Sequence, residues 1–228
     1  MKLWERQDFM QQLPDINQPG LVVFDLDSTL IQMESIDTLA TLNGSSHDVA
    51  AITERAMQGE LDFKAALFER VAYLEGIQEN DIFALVDQVR VSPGADELIQ
   101  FFRSKRWKIA ILSGGFTWFA DQVAMRWGVD FVACNSLEVK AGKLTGKVLG
   151  EIIDAEAKAN YLNALRNQYG FDSRQVIAIG DGANDIPMLT AAGLGVAFNG
   201  KAALIKVADI SLQERLDQLI PFLTNESN

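Results

Sequence analysis

The chain has 228 residues, 48% of them hydrophobic and 22% charged, and carries a net charge of −11. That size and balance describe a globular protein with room for one good core and a small second module. The acidic character argues against binding a nucleic-acid backbone, and no apolar run approaches the roughly 20 residues that would cross a membrane. Cys134 is the single cysteine, which excludes an intramolecular disulfide and a cysteine-rich zinc site. His47, the only histidine, sits in Gly44-Ser-Ser-His-Asp48 and reads as a surface loop residue. The first residues, Met1 to Asp8, lack the apolar region of a signal peptide, so a cytoplasmic protein is expected.

Residues before Pro14 have the mixed polarity of a short leading helix, and Gln18-Pro19-Gly20 forms a turn. Leu21 to Phe24 is an apolar run of the kind buried on both faces of a parallel sheet. It ends in Asp25, with Asp27 two residues on and two hydroxyls behind it. From Ser35 to Arg90 the pattern turns helical. Val49, Ile52 and Ala56 carry one stripe, and Phe63, Leu67, Val71 and Leu74 another. This all-helical segment, 34–91, is expected to form a cap over a core made of 1–33 and 92–228.

Ser92-Pro93-Gly94 opens a helix that runs through Phe101 and Phe102. A second buried strand, Trp107 to Leu112, ends in Ser113-Gly114-Gly115, and a helix starts near Phe116 with Phe119, Ala120, Val123 and Trp127 on one face. Phe131 to Cys134 reads as a third strand, and the alternation over about 137–150 as a β-hairpin turning at Ala141-Gly142. A helix spans about Asp154 to Tyr169. Gln175 to Ile179 is a fourth strand running into Gly180-Asp-Gly-Ala-Asn-Asp185, and Leu194 to Phe198 a fifth. Strands alternating with helices predict an α/β fold: a Rossmann-like, doubly wound parallel sheet with the helical cap and the hairpin inserted.

Parallel strands align their carboxyl ends on one edge of the sheet, so Asp25, Asp27, Ser113, Asp181 and Asp185 can converge there. Carboxylates without histidine or thiolate make a site for a hard cation, and Mg²⁺ suits it best. Ser113-Gly-Gly before a helix lets the backbone approach an anion closely. Lys158 lies on the same helical stripe as Leu162, Leu165 and Tyr169, where an ammonium must find an anion or remain costly. Arg70 occupies the middle of the stripe of Phe63, Leu67 and Leu74, where it can hold a carboxylate bidentately or pair with an acid of the cap itself. Glu34 is a candidate partner for a cationic group on a ligand or a first-turn helix acid.

Taken together, Asp25-Leu-Asp-Ser-Thr-Leu30, Ser113-Gly-Gly-Phe116, Lys158 and Gly180-Asp-Gly-Ala-Asn-Asp185 resemble the four ordered motifs of the haloacid-dehalogenase-like phosphatases. The chain is more narrowly similar to family members that act on O-phosphoserine, through Glu34-Ser-Ile-Asp37, the run from Glu54 to Phe63, Phe68-Glu-Arg-Val71 and Gly142-Lys-Leu-Thr-Gly146. The resemblance covers about residues 20–215 and leaves no room for the extra N-terminal regulatory domains of some relatives. It departs in Asn199-Gly-Lys-Ala-Ala203, where many relatives have a proline after the lysine.

The resemblance implies that Asp25 attacks phosphorus to form an aspartyl-phosphate, and that Asp27 protonates the leaving oxygen and later activates water. It implies Mg²⁺ held by Asp25, the Asp27 carbonyl and Asp181, with Asp185 behind them. Ser113, Gly114 and Lys158 would bind the phosphoryl oxygens. Glu34 would take the substrate ammonium and Arg70 its carboxylate, with Asn184 near the ester and Met57 and Phe63 closing over it. A monomer or homodimer with a small-molecule substrate is expected. The rivals are a phosphatase or phosphotransferase acting on another small ester, with an acceptor such as homoserine, and a non-catalytic phosphoserine or Mg²⁺ sensor.

Overall fold

The fold is that of a computed structural model, which describes residues 13–57 and 60–224. The leading helix expected before Pro14 lies almost wholly outside the described residues. Four apolar residues, Leu21–Phe24, form β1, none of them exposed. Because side chains alternate along a strand, Val22 and Phe24 join one apolar core while Leu21 and Val23 join another on the opposite face. A strand covered on both sides needs the near-continuous hydrophobic run that the sequence supplies.

β1 pairs in parallel with β2 (Lys108–Phe116) on one side and β5 (Val176–Gly180) on the other. With β3 (Phe131–Lys140), β4 (Lys143–Leu149), β6 (Leu194–Phe198) and β7 (Ile210–Leu212), it makes a seven-stranded sheet of order β4-β3-β2-β1-β5-β6-β7. All pairs are parallel except β3 with β4. The chain leaves β1 toward one edge and later returns toward the other, which makes the carboxyl end of β1 the switch point where ligands collect in such sheets.

Between β1 and β2 lie α1 (Ser35–Ala40), α2 (Ser46–Met57), α3 (Phe63–Ala72) and α4 (Glu79–Val86). Their inward residues, among them Leu39, Val49, Leu67, Val71 and Ile82, share one continuous cluster with the Val22 and Phe24 face of the sheet. After α5 (Ala95–Ser104) and β2 come α6 (Thr117–Trp127) and α7 (Ala155–Tyr169). The Asp154 carboxylate accepts the Ala157 N–H and caps α7 at 2.9 Å. Three shorter helices follow: α8 (Ile186–Ala191), α9 (Ala202–Ile205) and α10 (Leu219–Leu223). Among the described residues no helix is long and apolar enough to cross a membrane.

The structure departs from the sequence reading at four places. Ser113-Gly-Gly is not a loop after the second strand. The strand continues to Phe116 through a register shift after Leu112, a bulge made inside the strand. The expected third strand and the first arm of the hairpin are one strand, β3, which changes partner from β2 to β4 near Ser136. β7 has only Ile210–Leu212, too short for periodicity to reveal. His47 is exposed as expected but lies in the first turn of α2 rather than in a loop.

The hairpin turns at Ala141 and Gly142, which both have positive φ (50° and 73°), the conformation that two-residue hairpin turns favour. Its tip is bonded to the helical segment: Gly76 N–H donates to Leu144 O, Leu144 N–H to Ile77 O and Glu79 N–H to Gly142 O, each at 2.9 Å. At the start of α3 Lys64 Nζ meets the Asp154 carboxylate at 3.2 Å.

Candidate active site

Asp25 directly follows β1, and its N–H donates to Ile179 O of β5 at 2.9 Å, which fixes the chain at the sheet's carboxyl edge. From the first turn of α7, Lys158 reaches the same edge. Its Nζ lies 2.8 Å from Asp25 Oδ1 and 2.8 Å from Asp185 Oδ1. The lysine is 1% exposed. Burial alone would lower its pKa, but the two carboxylates outweigh it and raise the ammonium above its ordinary value. The inward-facing lysine of the helical stripe has therefore found its anions.

Carboxylate oxygens of Asp25, Asp181 and Asp185 lie within 4.8 Å of one another. The loop after β5 shapes this cluster. Asp185 Oδ2 accepts the N–H groups of Asp181 and Gly182 at 3.0 and 3.1 Å, so both Asp185 oxygens are engaged. Gly180 permits that return: a Cβ there would lie 2.4 Å from Asp185 Cγ. Burial, with Asp185 as the next cause, pushes the Asp25 carboxyl well above its ordinary range despite Lys158. The same two causes raise Asp181 to about 6, against the Lys201 ammonium at 3.8 Å.

Asp27 points elsewhere. Its Oδ2 accepts the Ser35 hydroxyl at 2.6 Å and the Ser35 N–H at 2.9 Å, while Oδ1 is buried with no partner. Burial raises it to about 7 although both Ser35 bonds act in the other direction. The residue as a whole is partly exposed, but its carboxylate faces inward. A carboxyl held near neutrality can both give and take a proton at physiological pH.

The donor set of the cluster is all oxygen, it carries more negative charge than its ammoniums balance, and Asp25 and Asp181 are raised by the charge of Asp185 as well as by burial. These features fit a hard divalent cation. Asp25 and Asp181 each keep an oxygen without a hydrogen bond among the described residues, whereas both Asp185 oxygens are engaged, by Lys158 and by the loop amides.

Ser113, fully buried, accepts the Gly115 N–H on its Oγ at 3.0 Å. That leaves the hydroxyl proton free to donate to a ligand. Gly115 is required by close approach: a Cβ would lie 2.9 Å from both Asp27 Oδ1 and Ser35 Oγ. The Phe63 ring covers Gly114, with Cζ 3.3 Å from where a Cβ would stand. A turn of 3₁₀ helix, Ala183–Asp185, carries half-buried Asn184.

In the helical segment, Arg70 is half-buried, donating to Ala66 O at 3.2 Å and more weakly to Thr53 Oγ1 at 3.4 Å. Burial lowers its pKa, and the charges of Asp37 and Glu34 oppose that. No carboxylate of the described residues lies within ion-pairing distance, so the internal pair left open by the sequence is not made. Exposed Glu34 accepts the Ser28 hydroxyl at 2.6 Å. Its charge is felt by Asp27 and Asp181 as well as by Arg70, which puts it between the carboxylate edge and the guanidinium. The Met57 side chain lies outside the described residues.

The sequence reading did not find Ser28, Ser35, Asn135 or Lys201. Ser35 stood inside the quoted Glu34-Ser-Ile-Asp37, where it read as a helix start. Asn135 gave no signal, falling between the expected third strand and the hairpin.

The haloacid dehalogenase-like hydrolase family model matches residues 22–190. A curated phosphoserine phosphatase of Idiomarina loihiensis is 51% identical over 193 residues, covering 85% of this chain and 88% of that protein. One of Vibrio cholerae is 45% identical over 84% of this chain, which spans 58% of that longer relative. Among solved structures, a phosphoserine phosphatase complex with bound substrate has a TM-score of 0.85 at 34% identity, covering 90% of this chain and 99% of that one. Motifs, fold and relatives agree, and the chain belongs to the haloacid dehalogenase-like hydrolases, within the phosphoserine phosphatase family.

Proposed function

We propose that the chain hydrolyses O-phospho-L-serine to L-serine and phosphate through an aspartyl-phosphate on Asp25, with residues 34–91 as a cap over the site. The observation that carries this reading is the Lys158 bridge, which fixes Asp25 at the end of β1, where the β1–β2 register sets it alongside the Ser113–Gly115 bulge and so pairs a nucleophile with donors for the group it attacks. The cap carries the substrate reading: Arg70 makes no ion pair among the described residues and feels the charge of Glu34, a pair suited to an amino acid's carboxylate and ammonium.

A carboxylate oxygen of Asp25 forms the bond to phosphorus as the bond to the serine oxygen breaks, and Asp27 gives its proton to that oxygen. Water then attacks the aspartyl-phosphate. Asp27, now a carboxylate, takes the proton, and the Asp25 carboxylate leaves. Ser113, the Gly114 amide and Lys158 bind the phosphoryl oxygens where charge spreads in the transition state. Asp25, the Asp27 carbonyl and Asp181 would hold the cation, which we take to be Mg²⁺, and Asp185 would orient from behind. When bound, the cation neutralises charge on the transferring group. Asn184 sits near the ester, and Phe63 and Met57 close over it to exclude water. Such a reaction completes the making of serine, and we assign it to the cytoplasm.

The test is phosphate release from a panel of phosphomonoesters, with Mg²⁺ or EDTA, and with or without homoserine. Preference for phosphoserine, lost in EDTA and indifferent to homoserine, supports the reading. Equal rates on esters lacking the amino-acid groups overturn it.

A further inference from the structure

Asn135, on β3, is fully buried, and both ends of its side-chain amide are used. Nδ2 donates to Gly114 O at 2.8 Å, and Oδ1 accepts the Ile153 N–H at 2.9 Å. Only this orientation satisfies both neighbours. A flipped amide would set oxygen against oxygen and N–H against N–H. One partner belongs to the Ser113–Gly115 bulge, and the other lies two residues before α7, the helix that delivers Lys158.

The first contact reaches further than its own carbonyl. Gly114 C=O and Gly115 N–H belong to one planar peptide unit, so fixing the carbonyl fixes the direction of the N–H. That N–H donates to Ser113 Oγ at 3.0 Å. Because it occupies an acceptor position of the hydroxyl, it keeps the Ser113 proton from pointing that way and leaves it to donate elsewhere.

We propose that Asn135 is a positioning residue for phosphoryl transfer. Through the Gly114–Gly115 peptide it aims the Ser113 donor, and through Ile153 it keeps that donor in register with Lys158. This rests on the reading of the bulge as the phosphoryl-binding element and not on the identity of the leaving alcohol.

The test compares Asn135→Ala and Asn135→Asp with the parent protein. Assays use phosphoserine and a small phosphomonoester without amino-acid groups, together with orthovanadate inhibition and melting temperature. Asn135→Ala is expected to lower kcat about tenfold or more, as for removal of a group that orients an active-site residue. The factor should be the same for both esters, with a matching loss of vanadate affinity and little change in KM. Asn135→Asp keeps the acceptor for Ile153, and only its protonated form can donate to Gly114. Its activity relative to the parent should therefore recover as pH falls. Unchanged kcat and vanadate affinity in Asn135→Ala overturns the proposal. So does a pH-independent ratio for Asn135→Asp with a lowered melting temperature, which would mark a purely structural residue. A parent protein inactive on phosphoserine but active on the second ester would refute the substrate reading and leave this test standing.

Discussion

Asp27 and Ser35 are joined twice, by the hydroxyl at 2.6 Å and the backbone N–H at 2.9 Å, both to Asp27 Oδ2. Ser35 opens α1, so the carboxyl proposed to carry the proton is tethered to the start of the helical segment. Both bonds favour the charged form, and burial, the larger effect, leaves the group near 7. Removing the hydroxyl in Ser35→Ala should raise that value further. The first chemical step needs Asp27 protonated, so its rate falls as pH rises through this pKa. The midpoint of that fall should move to higher pH in Ser35→Ala, read from the pH dependence of serine release in a single turnover. An unmoved midpoint would remove Asp27 from the role of acid.

Stability should depend on pH in a direction set by the same groups. Asp27 rises from an ordinary value of 3.8 to about 7, Asp181 to about 6, and Asp25 rises as well. An acid whose pKa is higher folded than unfolded stabilises the fold below the unfolded value, and that contribution is lost as pH climbs through the folded one. Metal-free protein should therefore melt higher at pH 5.5 than at pH 8, by about 5 °C or more for a chain of this size. Asp27→Asn should flatten the slope, and a divalent cation should raise the melting temperature most at pH 8. A melting temperature that is flat or rises with pH in EDTA would contradict these assignments.

Lys158 is the only ammonium bonded to Asp25 and Asp185 among the described residues. Lys158→Met would leave two buried carboxylates facing each other. Breaking a buried pair by removing one partner typically costs about 3 to 5 kcal/mol. Chemical denaturation should show a loss of that order, together with turnover lowered by roughly a hundredfold or more, as when a transition-state donor is removed. Excess divalent cation should recover part of the stability and little of the turnover. Full turnover in this variant would mean the phosphoryl group is bound elsewhere.

The nucleophile allows a sharper result. Asp25→Asn keeps the shape and an acceptor for Lys158 but loses the attacking charge, so turnover should fall by roughly three or more powers of ten. Because it also removes a charge that Asp185 repels, the metal-free variant should be no less stable than the parent at pH 8. Near-normal phosphate release would sink the covalent mechanism.

Strong local patterns made much of this legible in the sequence. The run Leu21 to Phe24 ending in Asp25, the paired glycines at 114 and 115 and the misplaced lysine at 158 each violate the ordinary pattern of their element, and all sit at the sheet edge. What stayed hidden depends on pairing. That Ser113-Gly-Gly continues β2 is decided by β3 lying alongside it, and β7 exists only because β6 offers an edge. Asn135 looks like any strand amide until Gly114 and Ile153 are brought to either side of it. The tie from Asp27 to Ser35 spans a loop whose course, through Ser28 at φ 56°, no periodicity encodes.

Specificity rests on Arg70 and Glu34. The guanidinium is half-buried and bonded, among the described residues, to Ala66 O and Thr53 Oγ1, with Asp37 and Glu34 as the acids whose charge it feels. Removing a charged, desolvated contact typically costs about 2 to 5 kcal/mol in binding. Arg70→Ala should thus lower kcat/KM for phosphoserine by roughly a factor of 30 or more, at about 1.4 kcal/mol per tenfold. Phosphoethanolamine, which has the ammonium without the carboxylate, should be affected far less. Glu34→Gln should reverse the pattern, sparing 3-phosphohydroxypropionate, which lacks the amine. If Arg70 instead only braces the cap through Ala66 and Thr53, all substrates should lose equally and the melting temperature should fall with them. Equal losses would move Arg70 into the scaffold and leave the substrate's carboxylate without an assigned partner.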